Sequence, residues 1–207
     1  MSAPATGAGP VTGTDGLTRC PWAAHDPLLR TYHDTEWGLP LTGEQALFER
    51  IALEGFQAGL SWRTILARRP ARRDAFDGFD PDTVARYSDT RLDDLAHDPR
   101  IIRNRAKILS ARTNARAILR LRADGGIEHL LASHRPPPTP APATAADIPT
   151  ATDIPTATDT SRALASALRA RGFTYTGPTS MFALMEATGM TDTHLAACHR
   201  RGTAPTP

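Results

Sequence analysis

Apolar positions along the chain recur with helical spacing, and no stretch alternates with the period of two expected of a half-buried strand. Leu47, Ile51, Glu54 and Ala58 fall on one stripe of a helix opened by Thr42-Gly43-Glu44-Gln45. That tetrapeptide reads as a capping box, with Thr42 as N-cap and Gln45 three residues on. Pro81 opens another helix after Asp80, and Asp98-Pro99 closes the next one. Ile101 to Leu121 predicts a turn and then a long helix with Ile108, Ala111, Ala115, Ile118 and Leu119 on its apolar side. Ser161 is placed as the cap of a helix that stops at Gly172. Further helices are predicted over Thr179–Thr188 and Asp192–Arg201, ended by Gly189 and Gly202. The pattern predicts an all-α fold.

Two segments carry no such pattern. Met1–Thr18 is rich in Ala, Gly, Thr and Pro and is expected to be a disordered tail. Residues 135–160 begin with Arg135-Pro136-Pro137-Pro138 and continue in Pro, Ala and Thr, as an extended surface connection. Within it, Asp147-Ile148-Pro149-Thr150-Ala151-Thr152 is repeated at once as Asp153-Ile154-Pro155-Thr156-Ala157-Thr158. Two copies are too few for a solenoid, so the repeat reads as a lengthened linker. One domain over 19–201 and a short tail over 202–207 remain. No apolar run is long enough to cross a bilayer, and no secretory signal is visible, so the expected location is the cytoplasm.

The 207 residues are 40% hydrophobic and carry a net charge of only +2, but the charge is unevenly spread. Residues 61–122 hold 15 basic and 8 acidic side chains, whereas residues 1–60 hold 3 and 7. A basic middle third suits a polyanion such as DNA. It equally suits a solvated surface rich in arginine, since Lys107 is the only lysine. The two cysteines, Cys20 and Cys198, are too few for a four-cysteine iron–sulfur cluster. They are either buried free thiols or metal ligands.

Three constellations could carry chemistry. His194 and Cys198 share one face of a predicted helix, and Cys20 and His33 lie close together near the N-terminus. Together they would complete a closed Cys₂His₂ site of the structural zinc type; two buried thiols and two ordinary histidines are the other reading. Glu54 sits on an apolar stripe, where it either pairs with an arginine or faces a pocket as a hydrogen-bond acceptor. Trp22, Trp37 and Trp62, with Tyr32 among them, would supply flat faces for a nucleobase, or simply core. Asp98 to Ile108 feeds a helix N-terminus and carries Arg103, Arg105 and Lys107, as a phosphate-binding turn or as an ordinary basic helix start.

Five segments closely resemble the DNA-3-methyladenine glycosylase I family: Arg19-Cys20-Pro21-Trp22, Tyr32 to Gly38, Leu53 to Trp62, Ile101 to Ile108, and His194-x-x-x-Cys198. The resemblance implies the helix-hairpin-helix glycosylase fold, its two ends joined by one structural zinc on Cys20, His33, His194 and Cys198. It implies that Glu54 and Tyr32 hydrogen-bond the flipped base, that Trp62 stacks on it, and that Trp22 and Trp37 help form the pocket. Gly59 and Leu60 stand where the family's wedge fills the duplex, and the turn before Lys107, with Arg103 and Arg105, would grip the DNA backbone. The implied partner is double-stranded DNA carrying alkylated bases, bound by a monomer with no membrane attachment. Leu29, Phe56 and Ala106 depart from the family pattern, at a pocket wall, at a polar position and at a hairpin glycine.

The expected reaction is hydrolysis of the N-glycosidic bond of 3-methyladenine, leaving an abasic site. Methylation makes the base cationic, so it departs neutral without a proton from the enzyme. A lyase using Lys107 for a Schiff base is one rival. A noncatalytic zinc-stabilised DNA-binding protein is the other.

Overall fold

The computed structural model describes residues 9–138, 140–147 and 157–203. Among these residues the fold is helical, with one two-stranded ribbon. In chain order the elements are β1 (Val11–Thr12), β2 (Thr18–Arg19), α1 (Pro27–Thr35), α2 (Glu44–Gln57), α3 (Trp62–Ala67), α4 (Arg69–Ala75), α5 (Pro81–Ala85), α6 (Asp89–His97), α7 (Arg105–Leu121), α8 (Gly126–Ala132), α9 (Asp159–Ala170) and α10 (Pro178–Ala187). None of the helices is long and apolar enough to cross a membrane.

Most starts are written locally. Asp26, Ser61, Asp80, Ser88 and Asn104 each accept a backbone N–H of the first turn of the helix they precede. The centre is α7, whose Ile108, Ala111, Ala115 and Ile118 are almost fully buried, as predicted. Its alanines let α5 lie close against it, while α2, α6 and α8 cover its other sides. Asn114 of α7 receives the Thr174 amide at 2.8 Å and donates to the Thr174 carbonyl at 3.0 Å, tying down the loop that leads into α10. Gly55 of α2 faces the same loop, and a Cβ there would lie 3.2 Å from Cβ of Tyr175. The missing side chain lets α10 settle beside α2. A second, smaller apolar cluster joins Cys20, Tyr32, Trp37, Leu66, Leu195 and Cys198, and Trp62 touches both cores.

Four expectations are corrected. Thr42 is not the cap of α2. Gly43 is, with φ of 91°, and its amide donates to the carboxylate of Glu128 in α8, so that start is capped by tertiary structure. Ser161 is the third residue of α9 rather than its cap; Thr158 caps it, and the two side chains close a reciprocal capping box. Residues 192–201 form turns and not a helix. Asp192 accepts the amides of His194 and Gly202, the Ala196 amide goes to the carbonyl of Pro142, and the His199 amide to that of Thr18. Those donors are therefore lost to a helical ladder. Finally, the described part of the predicted tail is structured: Val11 pairs with Arg19 and Thr12 with Thr18 in an antiparallel ribbon.

Within the hexapeptide repeat, residues 148–156 lie outside the described part of the chain. Among the described repeat residues, Thr158 is the N-cap of α9, and Asp147 accepts the amide and hydroxyl of Thr144. Deleting Asp153–Thr158 places Thr152 directly before Asp159 and so restores a threonine at the cap. Closing the shorter loop changes the free energy by less than about 0.6 kcal/mol. The deletion is expected to leave the melting temperature and the excision rate nearly unchanged. A drop of many degrees in thermal denaturation would contradict this.

Candidate active site and metal cluster

Glu54 faces inward from α2, is 3% exposed, and has no hydrogen-bond or ion-pair partner among the described residues. The obvious counter-ion, Arg50 one turn earlier, is directed elsewhere. It donates to the Tyr32 hydroxyl at 2.6 Å and to Glu36 at 3.4 Å, and its guanidinium lies over the rings of Tyr32 and Trp62. Burial, opposed by the more distant charge of Arg50 and reinforced by Glu186, pushes the Glu54 carboxyl up to about 8. Of the two readings of Glu54, an arginine pair and a pocket acceptor, the geometry supports the second. Its carboxylate lines an open cavity of about 400 Å³ together with Gln57, Gly59, Leu60, Ser180 and Glu186.

Glu186 was not singled out in the sequence. It interrupts the apolar run of α10 as Glu54 interrupts that of α2, and that shared feature is the signal that could have found it. It is 8% exposed, accepts the Thr193 hydroxyl at 2.6 Å, and is raised to about 7 by burial.

Tyr32 of α1 and Trp62 at the start of α3 form an aromatic group around Arg50. The rings of Tyr32 and Trp62 lie 5.4 Å apart between centroids at 52°, with Trp22 a further 6.3 Å from Tyr32. Burial holds the Tyr32 phenol well above its ordinary range, so it remains a hydrogen-bond donor. The indole N–H of Trp62 is buried without an acceptor. Gly59 and Leu60 form the tip of the sharp turn from α2 to α3. Gly59 takes a left-handed φ of 77°, which a side chain would strain, and Leu60 is 36% exposed beside the Glu54 cavity. Trp37, like Trp22, Tyr32 and Trp62, does not line the Glu54 cavity. It stacks on His33 with centroids 5.9 Å apart and meets His194 edge-on at 4.4 Å. Its expected place in substrate binding is corrected to packing on the cysteine–histidine cluster. Leu29 borders the smaller core, Phe56 packs on Phe76 in the main core, and Ala106 is exposed on the first turn of α7.

The three cations expected to act at the hairpin between α6 and α7 are split, and a fourth, Arg100, pairs with Asp98. Arg103 and Arg105 are exposed, the latter paired with Asp93. Lys107 points the other way. It is buried, and its ammonium donates to the carbonyl of Phe56 at 2.8 Å and to that of Ala58. The expected contact of Lys107 with the DNA backbone is therefore corrected: the side chain caps the C-terminal end of α2, where carbonyls lack helical partners.

The thiols and imidazoles do converge. Ligand atoms of Cys20, His33 and Cys198 all lie within 4.8 Å of one another. The Cys198 sulfur is 3.4 Å from Nε2 of His33, and the His194 ring stands 5.2 Å from that of His33. Each imidazole turns Nδ1 to a carboxylate, His33 to Asp34 and His194 to Asp192, both at 2.8 Å. Nε2 of His194 is buried without a partner. Asp34 is held in turn by Arg19. A hydrogen bond from Cys20 holds the Cys198 thiol below its ordinary range, while the same bond pushes that of Cys20 up. Two sulfurs, an orphaned imidazole nitrogen and two carboxylate-oriented rings fit a closed four-coordinate zinc site.

A helical scaffold sets flat aromatic rings and a buried carboxylate without an ion-pair partner among the described residues behind an exposed turn. The chain belongs to the methyladenine glycosylase family, which it matches over residues 22–201. It is 40% identical over 186 residues to DNA-3-methyladenine glycosylase 1 of Escherichia coli strain K12, covering 88% of this chain and 96% of that protein. It is 38% identical over 185 residues to the DNA-3-methyladenine glycosylase of Haemophilus influenzae, covering 87% and 96%. A crystal structure of 3-methyladenine DNA glycosylase I superposes with a TM-score of 0.82 at 38% identity, over 90% of this chain and all of the other. The Staphylococcus aureus enzyme, solved to explain 3-methyladenine recognition, gives 0.80 at 33% identity over 91% and 97%.

Proposed function

We propose that this protein is a DNA-3-methyladenine glycosylase, hydrolysing the bond between N3-methylated adenine and deoxyribose in alkylated duplex DNA. The observation that supports the mechanism is Glu54, a buried carboxylate without an ion-pair partner among the described residues, on the wall of a cavity; the Tyr32 and Trp62 rings pack on Arg50, one turn earlier on the same helix. Leu60 at the exposed tip enters the duplex and the damaged nucleotide turns into the cavity. The base stacks on Trp62, Glu54 accepts from its amino edge, and the Tyr32 hydroxyl donates to a ring nitrogen. The glycosidic bond breaks with both electrons passing to the base, which leaves neutral. Water adds to the oxocarbenium-like sugar and loses a proton, leaving an abasic site. The chain contributes extrusion, selection and orientation rather than a proton.

The hairpin between α6 and α7 is assigned to backbone binding, as in a helix-hairpin-helix protein, with Arg103 as its free cation. One zinc ion, held by Cys20, His33, His194 and Cys198, would join the two ends of the domain and supply rigidity rather than chemistry. A Schiff-base lyase is disfavoured because Lys107 is committed to two carbonyls.

Chromatography of bases released from methylated DNA by the purified protein tests the assignment. Free 3-methyladenine is the expected product, and its absence would overturn the reading. Arg103→Ala is expected to weaken duplex binding about equally for all sequences and to reduce the salt slope by about 1. The rate at saturating DNA should stay the same; an unchanged slope in a salt titration would remove Arg103 from the interface.

A further inference from the structure

The second carboxylate of the cavity is unexplained by the mechanism above. Glu186 reaches the cavity from α10, and Glu54 reaches it from α2. Neither carboxylate has an ion-pair partner among the described residues, and the polar groups beside them on the wall, Gln57, Thr179 and Ser180, are uncharged. The Thr193 hydroxyl holds one oxygen of Glu186 at 2.6 Å and so fixes the side chain. Two buried acids line one space, and the nearest cation, Arg50, is committed to Tyr32 and Glu36 and pairs with neither, which suits a cationic guest.

We propose that Glu186 is a specificity-determining residue, which with Glu54 makes the cavity select a positively charged purine over a neutral one of nearly the same shape. The inference rests on the glycosylase reading. Shape can contribute little here, because adenine and its methylated form differ by one methyl group, and a methyl in a pocket discriminates by only about 10–200-fold. Charge is the larger difference. A buried site holding two acids favours a cation over a neutral ring, and burial strengthens the effect. Burial raises both carboxyls, Glu54 to about 8 and Glu186 to about 7, and the charge of an arriving cation opposes that shift. The same arrangement favours release: once the bond breaks, the base is neutral and the two acids no longer retain it. Thr193 acts through Glu186 and is a positioning residue.

The test compares the wild-type chain with Glu186→Gln and Thr193→Val in single-turnover release of 3-methyladenine from methylated DNA, with free adenine as a neutral competitor. Glu186→Gln preserves shape and removes charge. It is expected to raise the half-saturating DNA concentration about tenfold while leaving the saturating rate unchanged, and inhibition by adenine should not weaken. Thr193→Val should shift half-saturation in the same direction by a smaller factor. Weakening of both the cationic substrate and the neutral competitor would mark Glu186 as merely structural and overturn the inference. So would an unchanged half-saturation, or a loss confined to the saturating rate. If the wild-type chain releases no base at all, the glycosylase reading fails and the inference falls with it; release with unaltered half-saturation refutes the inference alone.

Discussion

Glu54→Gln is expected to lower single-turnover excision by one to two decades and, at pH 8, to raise the melting temperature. The kinetic loss follows from exchanging a charged acceptor in a dry pocket for an amide, worth roughly 1.5–3 kcal/mol in the transition state. The gain in stability follows from the carboxyl being held at about 8 when folded, against an ordinary 4.5. Below pH 4.5 the group is neutral in both states and the folded state suffers no penalty. Between 4.5 and 8 unfolding releases a proton, so stability falls as pH rises. Above 8 the folded chain holds a buried, uncompensated anion, at a cost on the order of a few kcal/mol. Glutamine removes that cost and flattens the decline from pH 5.5 to 8, although Glu186, raised to about 7, preserves part of it. Melting curves at both pH values and excision on the same preparations decide the matter. Full activity with a lowered melting temperature would sink the base-reading role.

Cys198→Ser is expected to do the opposite: destabilise strongly and leave the rate per folded molecule almost untouched. Cys198 lies in a turn whose order depends on tertiary partners, not on a helix, and its sulfur sits at the junction with Cys20 and His33. A ligand present at a thousandfold excess over its Kd stabilises by about 4 kcal/mol, and a tightly held zinc by at least that. For a domain of this size the melting temperature should fall by about 10 °C. Metal analysis should find one zinc per wild-type chain and none in the variant. Substoichiometric zinc in protein purified without chelators, or an unmoved melting transition, would refute the zinc assignment.

The helical class, the long central helix and most caps were legible because their signals are local: an Asp or Ser before the first turn, an apolar stripe, a proline at the start. What escaped was set at a distance. Gly43 is capped by Glu128 in another helix, and the 192–201 segment gives its amides to Pro142 and Thr18. The ribbon at Val11–Thr12 has strands too short to show alternation. At the site, Glu54 stood out because an acid on an apolar stripe is a local anomaly, and the cysteines and histidines because they are chemically distinctive. The facing of Lys107 and Trp37 was not legible, since either side of a helix or turn would satisfy the same sequence. Glu186 was legible in principle and overlooked, an acid buried in the Met181–Ala187 run.

Lys107 has one further consequence. Its ammonium fastens the first turn of α7 to the last carbonyls of α2, directly behind the turn that ends in Leu60. The hairpin and the exposed tip are thereby two ends of one rigid strut. If the hairpin grips a phosphate, the spacing along the strand to the extruded nucleotide is set by protein covalent geometry and two hydrogen bonds, not by the DNA sequence. The molecule then works as a gauge: it indexes one nucleotide at a time, in a fixed register from the point where it holds the backbone.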